Sequence, residues 1–197
     1  KEAGMEIQIG TTVTQYNKTM LPAIAAKVAE MGVALWSVFF LIPTGRAQLA
    51  DMLTPEEHEE IMIWLAEYAK TAPYPIKSTE GPHWRRVLLQ RGAQVLPTMG
   101  VNDGKGFAFI SHIGEVHPSG FLPWNAGNVK EQSLTEIYRN SEVFKLLRDP
   151  SALKGKCGAC EYKALCGGSR ARAYGVYGDW LAEDPACAYV PKGYRTE

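Results

Sequence analysis

Cys157, Cys160, Cys166 and Cys187 are the only cysteines of the chain, spaced C-x2-C-x5-C-x20-C near its end. A segment that must bring four thiols together is committed to short turns around a centre, not to a long helix or a sheet of its own. The two-residue gap puts the first two sulfurs on one tight turn. Cys166 follows a short loop later, and Cys187 returns after an excursion to close a four-sulfur site. Four thiolates suit structural zinc or an iron–sulfur cluster, and spacing alone leaves both open. Cys157 and Cys160 lie too close for a comfortable structural disulfide, and no secretory signal is visible. Small residues surround the sulfurs (Gly155, Gly158, Ala159, Gly167, Gly168, Ala186), which lets backbone N–H groups approach them.

The 197 residues allow one large domain or two small ones. Lys+Arg and Asp+Glu are 21 each, which argues against wholesale nucleic-acid or anionic-membrane binding. The longest apolar run, Val33 to Ile42, is too short to span a bilayer. No targeting peptide is evident, and the cysteine usage suits a reducing cytoplasm. The opening KEAGMEIQIGTTVT runs almost at once into a strand-like pattern, as expected for a piece of a longer protein.

Met5 to Thr14 alternates apolar and polar residues and reads as a strand. Leu21, Ile24, Val28 and Met31 recur at helical spacing, with Asn17 or Thr19 as the expected cap and Gly32 as the stop. Val33 to Ile42 is apolar on both faces, as a buried strand should be. Strand, helix, strand is a βαβ unit and implies a parallel sheet, hence an α/β fold. Thr54-Pro55-Glu56-Glu57 is a capping box opening a helix with a stripe at Ile61, Leu65 and Tyr68. Ile76 to Gln90 reads as a short strand followed by a helix. Beyond Gly92 glycines become dense, so the domain boundary is expected near residue 95, giving domains 1–95 and 96–197. There Phe107 to Ser111 and Glu115 to His117 suggest a hairpin, and Ser133-Leu134-Thr135-Glu136 another capping box. The cysteine segment itself reads as loops.

In parallel α/β folds ligands bind at the carboxyl ends of strands. Thr11, Thr12, Thr14 and Asn17 follow the first strand; Thr44, Gly45 and Arg46 follow the second. Their hydroxyls, amide and guanidinium suit a polar cofactor bearing a carboxylate and a ribose. His83 with Arg85 and Arg86 could meet an anionic substrate. His112 and His117 flank the hairpin, while His58 lies among glutamates and reads as exposed. Arg170 and Arg172, pairing with Asp179, Glu183 or Asp184, are expected to brace the cysteine loop. No Ser-His-Asp pattern, phosphate loop or zinc-protease motif is present, and no catalytic acid, base or nucleophile is assigned.

The segments GEVHPSGFLPWNAGNVKEQSLTEIYRNSEVFKLLRD and CGACEYKALCGGSRARAYGVYGDWLAEDPAC resemble the C-terminal SPASM/twitch region of radical SAM enzymes. QIGTTVT and LWSVFFLIPTGR resemble the last two strands of their partial (βα)6 barrel. The resemblance is nearest to the radical SAM proteins of alternative haem and haem d1 biosynthesis. It implies the C-terminal part of that barrel followed by a small, loop-rich α+β iron–sulfur domain. It also implies that Cys157, Cys160, Cys166 and Cys187 hold one auxiliary [4Fe–4S] cluster; zinc or no metal is the alternative for this stretch expressed aerobically.

S-adenosylmethionine and a second [4Fe–4S] cluster, held by C-x3-C-x2-C, would belong to the full-length parent. No cysteine precedes Cys157, so this stretch should be inert in SAM cleavage alone. Thr12, Thr14, Asn17, Thr44 and Arg46 are then candidates for contacting SAM, and His83, Arg85 and Arg86 for contacting substrate. The expected substrate is a tetrapyrrole; a ribosomally made peptide is the alternative, and a non-catalytic zinc scaffold the alternative of another class. The implied partners are the N-terminal half of the same protein and an electron donor. An exposed sheet edge could also pair with a second copy.

Overall fold

A computed structural model describes residues 4–95 and 100–195. The chain divides into two compact units, Lys1–Ala93 with Ala186–Ala188, and Gln94–Pro185 with Tyr189–Glu197.

The first unit is built on three parallel strands in the order β1 (Gln8–Val13), β2 (Leu35–Phe40), β3 (Ile76–Thr79). Gly10 pairs with Ser37 and Ser37 with Lys77, so the register is in line across the sheet. The period-two pattern sends Val13, Trp36, Val38 and Phe40 to one face. There they pack with Leu21, Ala25 and Val28 of α1 (Leu21–Met31), Met62 and Leu65 of α2 (Pro55–Tyr68), and Val87 of α3 (His83–Gln90). On the other face Gly10, Thr12 and Lys77 are exposed, whereas Ser37 is buried and shares a hydrogen bond with Thr79 (Oγ to Oγ1, 3.0 Å).

Gly32 ends α1 in the left-handed conformation at φ 57°. Asn17 does not cap α1 as expected. Its Oδ1 accepts the Thr14 N–H and its Nδ2 donates to the Thr12 carbonyl, because the chain turns sharply off β1 before the helix begins. The Thr54–Glu57 capping box forms in full. His58 is a correction: it is 3% exposed, because the inward stripe of α2 runs His58, Met62, Leu65 and Ala66, rotated from the Ile61–Leu65–Tyr68 line.

The second unit begins with a hairpin, β4 (Phe109–Ile110) and β5 (Val116–His117), paired antiparallel. A capping box at Ser133–Glu136 opens α4 (Leu134–Asn140), and α5 (Glu142–Arg148) follows after Ser141. Val143, Phe144 and Leu147 of α5 and Ile137 of α4 are buried. The cysteine segment holds more regular structure than its glycines suggested: α6 (Gly155–Ala159) carries Cys157, and α7 (Arg170–Tyr177) follows Cys166. Among the described residues no helix is long and apolar enough to cross a membrane.

Candidate metal centre

Cys157 sits on α6, a helix short enough that its start and end are set by side-chain and backbone contacts from later in the chain. Lys154 N–H donates to the Leu181 carbonyl (2.8 Å) and Lys156 N–H to Glu183 Oε2 (2.7 Å). These bonds tie the helix to residues 181–184. Cys160 closes α6, and its Sγ accepts the Tyr162 N–H at 3.4 Å. Cys166 donates its N–H to the Tyr162 carbonyl (2.8 Å), completing one turn. Gly167 and Gly168 then reverse the chain at φ 70° and 65°. Asn102 Nδ2 holds that reversal by donating to the Gly168 carbonyl at 2.7 Å.

The brace expected from Arg170 and Arg172 is present, but the two arginines do different work. Ser169 caps α7, and its own N–H donates to Asp184 Oδ2 at 2.6 Å. Arg172 Nη1 donates to both Asp184 oxygens, at 3.2 and 2.9 Å, and both side chains are essentially inaccessible (1% and 0%). Arg170 turns the other way: Nη1 donates to the carbonyls of Trp180 (2.9 Å) and Ala182 (2.6 Å), and Nη2 reaches Cys157 Sγ at 3.6 Å. Asp184 donates its backbone N–H to the same sulfur at 3.4 Å.

Cys157 thus lies buried with two donors aimed at its sulfur, the arrangement a thiolate ligand needs. Burial pushes the free thiol up and the Arg170 guanidinium pulls it down, with the nearby Asp184 charge opposing Arg170. Gly168 makes the approach possible. A Cβ there would come 2.5 Å from Arg170 Nη2, 2.7 Å from Asp184 Cβ and 3.0 Å from Cys157 Sγ.

Cys187 is half-buried, and the chain on either side of it is anchored. Asp184 and Glu183 hold the approach as described. Beyond it the Tyr189 hydroxyl hydrogen-bonds Glu161, and its ring meets Tyr162 edge-on at 5.5 Å. Among the described residues no three His, Cys, Asp or Glu side chains converge as one metal ion would require.

The residues considered for SAM do not share one environment. Thr12 is exposed on the open sheet face, Thr14 Oγ1 accepts the Tyr16 N–H, and Asn17 is spent on the β1 turn. Thr44 is half-buried and Arg46 exposed in the turn after β2. His83 is 1% exposed and meets the His58 ring edge-on at 4.8 Å, with Phe40 beyond. Arg86 is 1% exposed and donates to Glu59 Oε1 (2.8 Å), to Glu59 Oε2 and to Gln90 Oε1 (2.8 Å), so its guanidinium is built into the packing of α2 against α3. Arg85 is half-buried. His112 is exposed, and His117 Nε2 lies 3.5 Å from Glu115 Oε2. Sequence reasoning missed the division of labour between Arg170 and Arg172, because two arginines at i and i+2 look equivalent on paper.

Residues 102–161 match a family model described as SPASM, iron-sulfur cluster-binding domain. That match takes in Cys157 and Cys160; Cys166 and Cys187 lie beyond it. AdoMet-dependent heme synthases from Methanosarcina barkeri and Oleidesulfovibrio alaskensis are 41% and 43% identical over 97% and 98% of this chain. Pre-heme d1 synthase of Dinoroseobacter shibae is 30% identical over 95% of it. The chain spans about half the length of these curated relatives, covering 58%, 53% and 52% of them. Among solved structures, Streptococcus suis SuiB bound to S-adenosylmethionine matches with a TM-score of 0.62 at 14% identity, over 95% of this chain and 46% of that one. Native anSMEcpe with bound AdoMet and Cp18Cys peptide matches with a TM-score of 0.60 at 16% identity, over 94% of this chain and 54% of that one. At such identity these likenesses concern the fold. The matched cluster-binding domain and the haem-synthase relatives fit one family: along nearly its whole length the chain resembles the C-terminal part of radical SAM/SPASM proteins.

Proposed function

We propose that Cys157, Cys160, Cys166 and Cys187 hold an auxiliary [4Fe–4S] cluster in a radical SAM enzyme that acts on a tetrapyrrole. The observation that carries this reading is the buried Arg170 guanidinium against the Cys157 sulfur. The oxygens that this cation hydrogen-bonds are all carbonyls, and Asp179 is the only carboxylate whose charge acts on it among the interactions described. Its burial is costly unless an anion shares the site, and a metal-bound thiolate is such an anion. When bound, the cluster supplies one-electron chemistry and a polar metal face. The chain's own part is to bury Cys157, donate the Asp184 and Tyr162 N–H groups to sulfur, and fix the loop through Asp184. The SAM-cleaving half of the chemistry needs thiolates that residues 1–156 do not contain, so this stretch by itself is inert in SAM cleavage. In the proposed parent the parallel sheet is part of the barrel wall, and Thr12, Thr44 and Arg46, near its strand ends, are the candidates for contacting SAM.

Anaerobic reconstitution with iron and sulfide tests the cluster. About four irons per chain and a broad visible charge-transfer band are expected, and Cys166→Ala should abolish both while residues 1–93 stay folded. Stoichiometric zinc that iron cannot displace would sink the reading in favour of a zinc scaffold.

The tetrapyrrole rests on the haem-synthase relatives, which match along nearly the whole chain. A peptide substrate is the second reading, favoured by the PqqA peptide cyclase of a Methylobacterium species at 32% identity over 61% of this chain. An iron tetrapyrrole added to the full-length protein should shift its Soret band saturably. No shift, together with saturable binding of a precursor peptide, would select the second reading.

A further inference from the structure

Two arginines two residues apart on α7 are both buried, at 2% and 1% exposure, yet only Arg172 hydrogen-bonds a carboxylate, and the Asp179 charge acts on Arg170 without a hydrogen bond between them. Arg172 delivers its charge to the Asp184 carboxylate. Arg170 donates Nε to the Gly168 carbonyl (3.2 Å) and Nη1 to the Trp180 and Ala182 carbonyls, and its remaining contact is Cys157 Sγ. Carbonyls fix the direction of a guanidinium without cancelling its charge. The Asp184 carboxylate, whose charge acts on that thiol, is engaged by Arg172 and the Ser169 N–H.

We propose that Arg170 is a positioning residue that raises the reduction potential of the auxiliary cluster, and that the Asp184 carboxylate works against it. The inference rests on the four-cysteine reading above. One electron entering the cluster adds one negative charge to its sulfurs and irons. A buried positive charge held against one ligand sulfur stabilises the reduced state more than the oxidised one. Net local charge, hydrogen bonds to sulfur and burial are the protein's means of setting such potentials, and Arg170 contributes to all three. The low local dielectric makes its charge felt more than that of a solvated lysine. Gly168 keeps the guanidinium within reach, because any side chain there would displace it.

The test uses full-length protein, reconstituted anaerobically and titrated potentiometrically with the spectrum or paramagnetic signal as readout. The auxiliary cluster is recognised as the component lost in Cys166→Ala. Arg170→Gln should make reduction at least tenfold less favourable, a fall of 59 mV or more for a one-electron couple. Asp184→Asn, which removes a negative charge while keeping the shape, should shift the potential upward. Shifts in opposite directions support the proposal, since a purely structural role would lower iron content without that sign. Unchanged potentials, or two shifts of the same sign, overturn it. If Arg170→Gln takes up no iron, Arg170→Lys decides: recovered iron at a potential near the parent's supports a role for the charge. Loss equal to that of the Gln variant shows that only the guanidinium's shape matters and overturns the proposal. If the unsubstituted protein itself binds no iron, the four-cysteine reading has failed first.

Discussion

Asp184→Ala should destabilise the second unit by about 3–5 kcal/mol, the usual result of removing one partner from a buried ion pair. Asp184 is 0% exposed and ties together three things. Its carboxylate accepts from the Ser169 N–H at the start of α7, it neutralises Arg172 inside the same pocket, and its backbone donates to the Cys157 sulfur. Alanine keeps only the last of these. Without the carboxylate the Arg172 charge stays buried, and the Gly167–Gly168 reversal loses the anchor that follows it. Denaturant unfolding should show a lowered midpoint, and reconstitution should give well under the parent's iron content. Parent-like stability and iron in Asp184→Ala would mean that the loop is held by something other than this carboxylate. Asp184→Asn should lie between the two, because an amide oxygen can still accept from Ser169 and Arg172 but carries no charge.

The legible parts of this chain are those in which a local pattern and the tertiary packing agree. The alternation of Met5–Thr14 and the apolar run of Val33–Ile42 became paired strands because β2 found a strand on each edge and a helical layer against its Trp36, Val38 and Phe40 face. The capping boxes at Thr54 and Ser133 formed because they depend on residues three apart and on nothing distant. His58 went astray for the opposite reason. A histidine among glutamates looks solvated, but the angle at which α2 lies on the sheet turns it inward against Phe40. The cysteine segment was underestimated as a structured element. Glycine density reads as loop, yet Gly155 and Gly168 serve close approach to Glu183 and Arg170 beside two short helices. The cysteines themselves were plain in the sequence. Which arginine faces them was not, because that depends on how α7 is set by Ser169 and Asp184.

Glu59→Ala should cost about 3 kcal/mol and should do so in the first unit, leaving iron uptake at the cysteines unchanged. Arg86 and its neighbour Arg85 were read from sequence as ligands for an anionic substrate. The structure gives Arg86 an anion of its own, since Glu59 accepts from both terminal nitrogens of a side chain that is 2% exposed. Removing Glu59 leaves that charge buried without the carboxylate, with Gln90 as an acceptor among the contacts described above. The paired substitution Glu59→Leu with Arg86→Met should recover most of the loss, because an apolar pair of similar volume incurs no desolvation cost. If the pair instead served substrate, the double variant would keep the fold and lose the Soret shift expected of the full-length protein with an iron tetrapyrrole. A fold restored together with an unchanged Soret shift would identify the Arg86–Glu59 pair as part of the scaffold. Substrate recognition by the His83–Arg86 segment would then fall to Arg85.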